Sequence, residues 1–225
     1  MMNTINFPGA GLYRPLLGLI LVAALGACAT SSETTPSASA TPPPIPALPF
    51  DEAVLKAAND LFTKAQLPPA GSESPARYTL VIDPLIDGLT GFQSVATQSM
   101  QTRIEQLAGE KYPQFQVQPF SKSSVAAAPI VLIGTFTPVN SEGKTEGTRE
   151  AYRVCLALAD LKSGKIVGKG FARAQMQVVS VTPTRYFQDS PTWAKDPATE
   201  GYIKTCQGTK IGDPVNPVYI ERIKA

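Results

Sequence analysis

Apolar residues recur at helical spacing in Phe50, Val54, Ala58, Leu61, Phe62 and Ala65, which predicts an amphipathic helix over residues 51–66. Pro68 and Pro69 stop it, and the stretch PPAGSESPA reads as loop. RYTLVID is apolar and β-branched enough for a buried strand, closed by Pro84. PLIDGLTGF is a loop punctuated by glycine. Ala96, Met100, Ile104 and Leu107 share one face of a helix over residues 94–108, with Gly109 suited to its C-cap. QFQVQPF alternates and predicts a short half-buried strand, and SKSSVAAA a short helix. PIVLIGTFTPV is a buried strand, followed by the polar loop NSEGKTEGTRE. AYRVCLALADL places large apolar residues at every second position: Tyr152, Val154, Leu156, Leu158. KSG is a tight turn, and KIVGKGFARAQMQVV returns as the second arm of a β-hairpin.

The pattern decays from about Thr182 onward, where prolines at 183, 191, 197, 214 and 217 predict an irregular C-terminal tail. The element order therefore predicts an α+β (mixed α/β) fold: a single sheet of about five strands ending in a hairpin, with helices packed on it.

The N-terminal pattern is of another kind. Arg14 is the only charged side chain before Cys28, and residues 16–27 carry no charge. That is the n-region and h-region of a secretory signal, too short for an ordinary membrane-spanning helix, which needs about 20 apolar residues. Leu25-Gly26-Ala27-Cys28 resembles the bacterial lipobox, in which a signal peptidase cuts before a cysteine whose sulfur carries a diacyl lipid. The competing reading is a plain signal peptide with an incidental cysteine. The register of Arg14, the uncharged run and Cys28 favours lipidation. Ala29 rather than Asp at the second mature position favours the outer membrane, by the sorting rule of Gram-negative lipoproteins. A segment rich in Ser, Thr, Ala and Pro follows, including Pro42, Pro43, Pro44, Pro46 and Pro49. It lacks the apolar residues to fold, so it reads as a tether or plain spacer. The expected organisation is a signal peptide over 1–27, lipidated Cys28 with a disordered tether over 28–49, and a globular periplasmic domain over 50–225.

Composition narrows the chemistry. The formal net charge is +2 over 225 residues, so nucleic-acid binding has no electrostatic support. There are no histidines, which removes histidine triads, histidine metal sites and histidine acid–base catalysis. With Cys28 lipidated, Cys155 and Cys206 remain, and in an oxidising compartment such a pair forms a disulfide. The alternatives are two buried free thiols or a surface thiol.

The strand ending VIDPLIDGLTG, the helix after it, PIVLIGTFTPV and YRVCLALADLKSGKIVGKGFARA together resemble a group of bacterial envelope lipoproteins. It includes the LpoB-type penicillin-binding-protein activators, the flagellar lipoprotein FlgO and the curli-secretion lipoprotein, whose shared domain is similar to the N-terminal domain of TolB. The resemblance covers residues 77–174. It implies a binding domain rather than an enzyme, and it supplies no catalytic residues to carry over.

Other chemistry is sparse. Asp83 and Asp87 flank the Pro84 turn at the end of a strand, where two carboxylates serve acid–base work, a cation, or the capping of their own loop. Capping is the simpler reading. Ser141 and Lys144 have Ser-x-x-Lys spacing, but in a polar loop rather than on a helix. Tyr186, Phe187 and Trp193, interleaved with Arg185 and Lys195, are either anchors for a protein partner or aromatics packed on the sheet. The expectation is a membrane-anchored, non-enzymatic lipoprotein on the periplasmic face of the outer membrane. It binds an envelope protein partner and uses no cofactor or metal. The alternative is a structural subunit of an outer-membrane secretion pore, which requires bilayer-inserting strands.

Overall fold

The computed structural model describes residues 45–67, 77–127, 129–176, 180–182 and 197–225. Within them lie α1 (Phe50–Thr63), β1 (Tyr78–Ile82), β2 (Ile86–Asp87), α2 (Val95–Lys111), β3 (Phe115–Gln118), α3 (Lys122–Ala126), β4 (Ile130–Val139), β5 (Ala151–Asp160), β6 (Lys165–Gln175), α4 (Pro197–Gly208) and α5 (Pro217–Lys224). One sheet has the order β3-β1-β4-β5-β6, with β2 added beside β4. The expected α+β class, hairpin and helical packing are all present.

The first three strands of that order are parallel and the rest antiparallel. Leu80 pairs with Ile130 in parallel register, whereas Leu132 pairs with Leu158 and Leu156 with Gly170 in antiparallel register. Parallel neighbours require crossovers. β1 reaches β3 through α2, and β3 returns past β1 to β4 through α3. The two crossovers run in opposite directions along the sheet, so right-handed connection puts their helices on opposite faces. The packing agrees: Ile104 of α2 joins one core and Val125 of α3 the other.

The alternation in β5 builds both cores. Val154, Leu156 and Leu158 enter the core beneath α1 and α2, beside Val54, Leu61 and Phe136. Cys155, Ala157 and Ala159 point to the opposite face, where their small size admits α4 and α5. Each fully buried Leu or Phe of this kind contributes about 1.5–3 kcal/mol of apolar burial.

Close approach explains the glycines of β6. α1 lies against that strand, and a Cβ on Gly170 would overlap the carbonyl oxygen of Ala57. The outer edge of β6 is capped at both ends by backbone bonds. Leu48 N–H donates to Arg173 O at 2.8 Å, and Ile166 N–H donates to Asp213 O at 2.9 Å. These caps shorten the stretch of edge open to a foreign strand.

Two expectations need correction. Over its described part, residues 197–225, the C-terminal tail is not irregular: it carries α4 and α5. Two of the prolines that read as breakers, Pro197 and Pro217, stand at helix starts, where proline costs no hydrogen bond and its φ suits the first turn. Pro197 opens α4. Pro217 opens α5 behind Asn216, whose side chain accepts from Val218 N–H and Tyr219 N–H. Gly109 does not cap α2, which runs on to Lys111 and closes with Tyr112 N–H on Ala108 O. Tyr112 is held there from outside the helix. Its ring meets Phe62 at 4.8 Å, and its hydroxyl donates to Asn59 Oδ1 at 2.9 Å.

Candidate functional site

Two clusters of polar chemistry stand on the face covered by α4 and α5. The first is the cysteine pair. Cys155 projects from the middle of β5 and Cys206 from the last turn of α4, and both are fully buried. Their sulfurs are in contact at 2.6 Å, with Cys155 Sγ also donating to Cys206 O at 2.7 Å. Lys169 of β6 reaches the same place. Its ammonium donates to Cys206 O and stands 3.9 Å from Cys155 Sγ. Burial pushes the Cys155 thiol up. Burial pushes Cys206 the same way, but its hydrogen bond with Cys155 and the Lys169 charge outweigh this and hold it below the ordinary thiol value.

The second cluster lies at the carboxyl end of β1. β1 and β2 both pair with β4, but not continuously: Ile82 pairs with Leu132, and pairing resumes only with Ile86 on Thr135. Residues 83–85 bulge away between them. Tyr202 of α4 fills the break. Its hydroxyl accepts Gly134 N–H at 2.8 Å and lies 3.2 Å from Pro84 O, to which it can donate. Asp83, first residue of the break, accepts the hydroxyl of Tyr219 at Oδ2, 2.8 Å away. Desolvation by burial pushes the Asp83 pKa up to about 6, opposed by the Tyr219 hydrogen bond and the Arg222 charge. A cavity of about 330 Å³ opens here, bounded by the end of β1, the start of α3, and α4 and α5.

Asp83 and Asp87 do not form a pair. Asp87 Oδ1 accepts Leu89 N–H at 2.9 Å, Thr90 N–H at 2.8 Å and the Thr90 hydroxyl at 3.0 Å, which caps its own turn. Asp83 instead bonds to a helix 136 residues later in the chain. Ser141 and Lys144 do not combine either. Lys144 pairs with Glu142 at 2.7 Å, which raises its pKa and keeps it protonated, while the Ser141 carbonyl accepts from Arg173. Cys28, Tyr186, Phe187 and Trp193 lie outside the described residues. Tyr202, Tyr219 and Lys169 are the polar residues that sequence reasoning missed. Their partners are brought to them by the sheet and by no local pattern.

No family model matches the chain, and no curated protein matches it. Solved structures do. The LpoB C-terminal domain from Salmonella enterica is similar at 14% identity and a TM-score of 0.37, covering 56% of this chain and 98% of that one. The NMR structure of E. coli LpoB is similar at 14% identity and a TM-score of 0.35, covering 75% of this chain and 89% of that one. LpoB is among the proteins that the strand and hairpin motifs resemble. Among the described residues, no helix is long and apolar enough to cross a membrane, and no group of three His, Cys, Asp or Glu could hold a metal ion.

Proposed function

We propose that the chain is a lipid-anchored protein of the bacterial cell envelope. Its folded domain stands off the periplasmic face of the outer membrane and binds a protein partner there, in the assembly or activation of an envelope machine or cell-wall synthase. It turns over no substrate.

The observation that carries this reading is the order of the N-terminal segments: Arg14, an uncharged run, Leu25-Gly26-Ala27-Cys28, then a proline-rich stretch up to Pro49. Two or more acyl chains on Cys28 make anchoring stable, since each buried CH₂ contributes about 0.8 kcal/mol. At about 3 Å per residue in a polyproline-like state, ~20 residues reach on the order of 60 Å. Tethering concentrates the domain near the membrane, so a contact of modest affinity is occupied. The pore reading has less behind it. β4, β5 and β6 have the length for a bilayer at 10, 10 and 11 residues, but β4 and β5 lie inside the sheet with cores on both faces, and the ends of the β6 edge and one of its faces are taken by Leu48, residues 212–215 and α1.

Labelled palmitate should enter the wild-type chain and not Cys28→Ala; equal labelling of both would remove the anchor. Mild cross-linking in membranes followed by purification of the chain should recover one abundant envelope protein in constant ratio. If the 186–193 aromatics are the contact, Trp193→Ala should weaken that capture by about 2 kcal/mol without changing the melting temperature. A drop in melting temperature with normal capture of the folded fraction would place the contact elsewhere.

A further inference from the structure

The turn between β5 and β6 and the loop between α4 and α5 are laced into one surface. Gly212 N–H donates to Ile166 O at 2.8 Å, Ile166 N–H to Asp213 O at 2.9 Å, and Val215 N–H to Gly164 O at 2.9 Å. Each segment is also closed by its own turn. Gly164 N–H donates to Asp160 O at 2.8 Å, and Asp213 N–H to Lys210 O at 3.2 Å. A backbone bonded in this way is pre-organised, which lowers the ordering cost of docking.

Three lysines stand on this surface, Lys162 and Lys165 from the hairpin and Lys210 from the loop, and all three are exposed. Among the described residues none of their ammonium groups has an ion pair or a hydrogen bond. The exposed lysines of α1 and α4 differ: Lys56 and Lys64 pair with Asp60, and Lys204 with Glu200. The carboxylates nearest in the chain serve the turns themselves. Asp160 Oδ1 accepts Lys162 N–H at 3.0 Å, and its Oδ2 accepts the N–H and hydroxyl of Ser163. Asp213 Oδ2 accepts Lys210 N–H at 2.7 Å. Glu221 of α5 makes no ion pair with the three lysines. Two further cations of α5 are already engaged and are not counted. Lys224 donates to Leu161 O at 3.3 Å, and Arg222 has a partner of its own.

The place of this surface in the fold matters. The proline-rich segment reaches the sheet at the far end of β6, where Leu48 bonds to Arg173 and Gln175. Lys165 opens that strand and Gln175 closes it. At about 3.3 Å per residue, the strand puts roughly 30 Å between the entry of the segment and the lysines. A domain tethered at one pole presents the other to what lies beyond the membrane.

We propose that this basic pole is the docking surface for the protein partner, and that the partner meets Lys162, Lys165 and Lys210 with an acidic patch. The inference rests on the reading of the chain as a tethered partner-binding protein, and it names the surface and the chemistry of the partner. Fixed, unpaired cations steer an acidic surface into register and disfavour a basic one. Val218, on the first turn of α5 shortly after Val215, is 42% exposed and offers an apolar contact. The anchored membrane lies on the side of the opposite pole, which favours a protein over lipid headgroups.

The test treats membranes carrying the full chain with a water-soluble carbodiimide, which joins an amine to a carboxylate in contact and leaves no spacer. Mass spectrometry should find Lys162, Lys165 or Lys210 joined to Asp or Glu residues of one envelope protein. Under mild cross-linking, the triple variant Lys162→Glu, Lys165→Glu, Lys210→Glu should recover that protein about tenfold less, because like charges then face each other. Its melting temperature should not change. Lys111→Glu, at another exposed lysine, should recover the protein as the wild type does. Carbodiimide links to the partner from other lysines of the chain and none from these three would overturn the proposal. Equal recovery by the wild type and the triple variant would overturn it and leave the partner-binding reading standing, whereas no recovery by the wild type would overturn both. The purified full chain in vesicles of phosphatidylethanolamine and phosphatidylglycerol decides against lipid. Selective protection of the three lysines from acetylation in those vesicles would assign the surface to headgroups and overturn the proposal; acetylation as fast as that of Lys111 would support it.

Discussion

The hydroxyl of Tyr202 accepts the backbone N–H of Gly134 at 2.8 Å, so a side chain from α4 completes a sheet ladder that β1 and β2 leave open. Tyr202→Phe leaves that buried N–H without a partner. The expected loss is about 1–3 kcal/mol, the usual penalty for an orphaned buried donor. Urea unfolding of the variant measures it. An unchanged midpoint would mean that water reaches Gly134.

Asp83 and Tyr219 make stability depend on pH. The folded-state pKa of Asp83 is raised by burial to about 6 from an ordinary 3.8. The folded state therefore holds this proton more tightly than the unfolded state. Its contribution is complete below the unfolded value and is lost as pH rises to about 6. A shift of this size amounts to about 3 kcal/mol. Asp83→Asn should gain on the wild type by that order between about pH 4 and 7.5, read as the difference of their urea midpoints. Other carboxylates act on both proteins and cancel. Parallel profiles for the two would sink the claim. Tyr219→Phe removes a donor that favours the ionised form, so it should move the same transition to higher pH.

Gly170 allows α1 to lie against β6. A methyl group at this position would occupy the space of the Ala57 carbonyl oxygen, which belongs to the helix backbone and cannot rotate away. Gly170→Ala should cost about 1–3 kcal/mol, as overpacking does. The equivalent change at Gly109, where a Cβ meets nothing, should be neutral or stabilising by up to about 1 kcal/mol. Equal effects at the two sites would contradict the packing.

Cys155 and Cys206 face each other at contact distance without any rearrangement of β5 or α4. In an oxidising compartment we expect them to be joined. The closed loop of about 50 residues then adds roughly 4 kcal/mol in the chain-entropy account. Mass spectrometry of the exported protein, alkylated under denaturing, non-reducing conditions, should find neither thiol modified. Reduction should lower the urea midpoint by a corresponding amount. Two alkylated cysteines before reduction would show that the pair stays free.

Periodicity alone determined much of this molecule. The apolar spacing of α1 and α2, the Ser94 start of α2, the runs of β1 and β4, and the large–small alternation of Val154 to Ala159 are all local. Each element's buried face follows from side chains a few residues apart. The Asp87 turn was legible for the same reason, because an aspartate caps the loop it sits in. Strand order, the direction of each crossover and the two C-terminal helices were not legible. Pro197 and Pro217 carry the same covalent restriction inside a loop and at a helix start, and only the residues around them in space decide between the two. The Asp83 cavity needed the tertiary structure altogether. Its carboxylate, the Tyr219 hydroxyl and the Tyr202 plug lie on segments up to 136 residues apart, and no local pattern records a hydrogen bond that forms only after the sheet and α5 have closed around it.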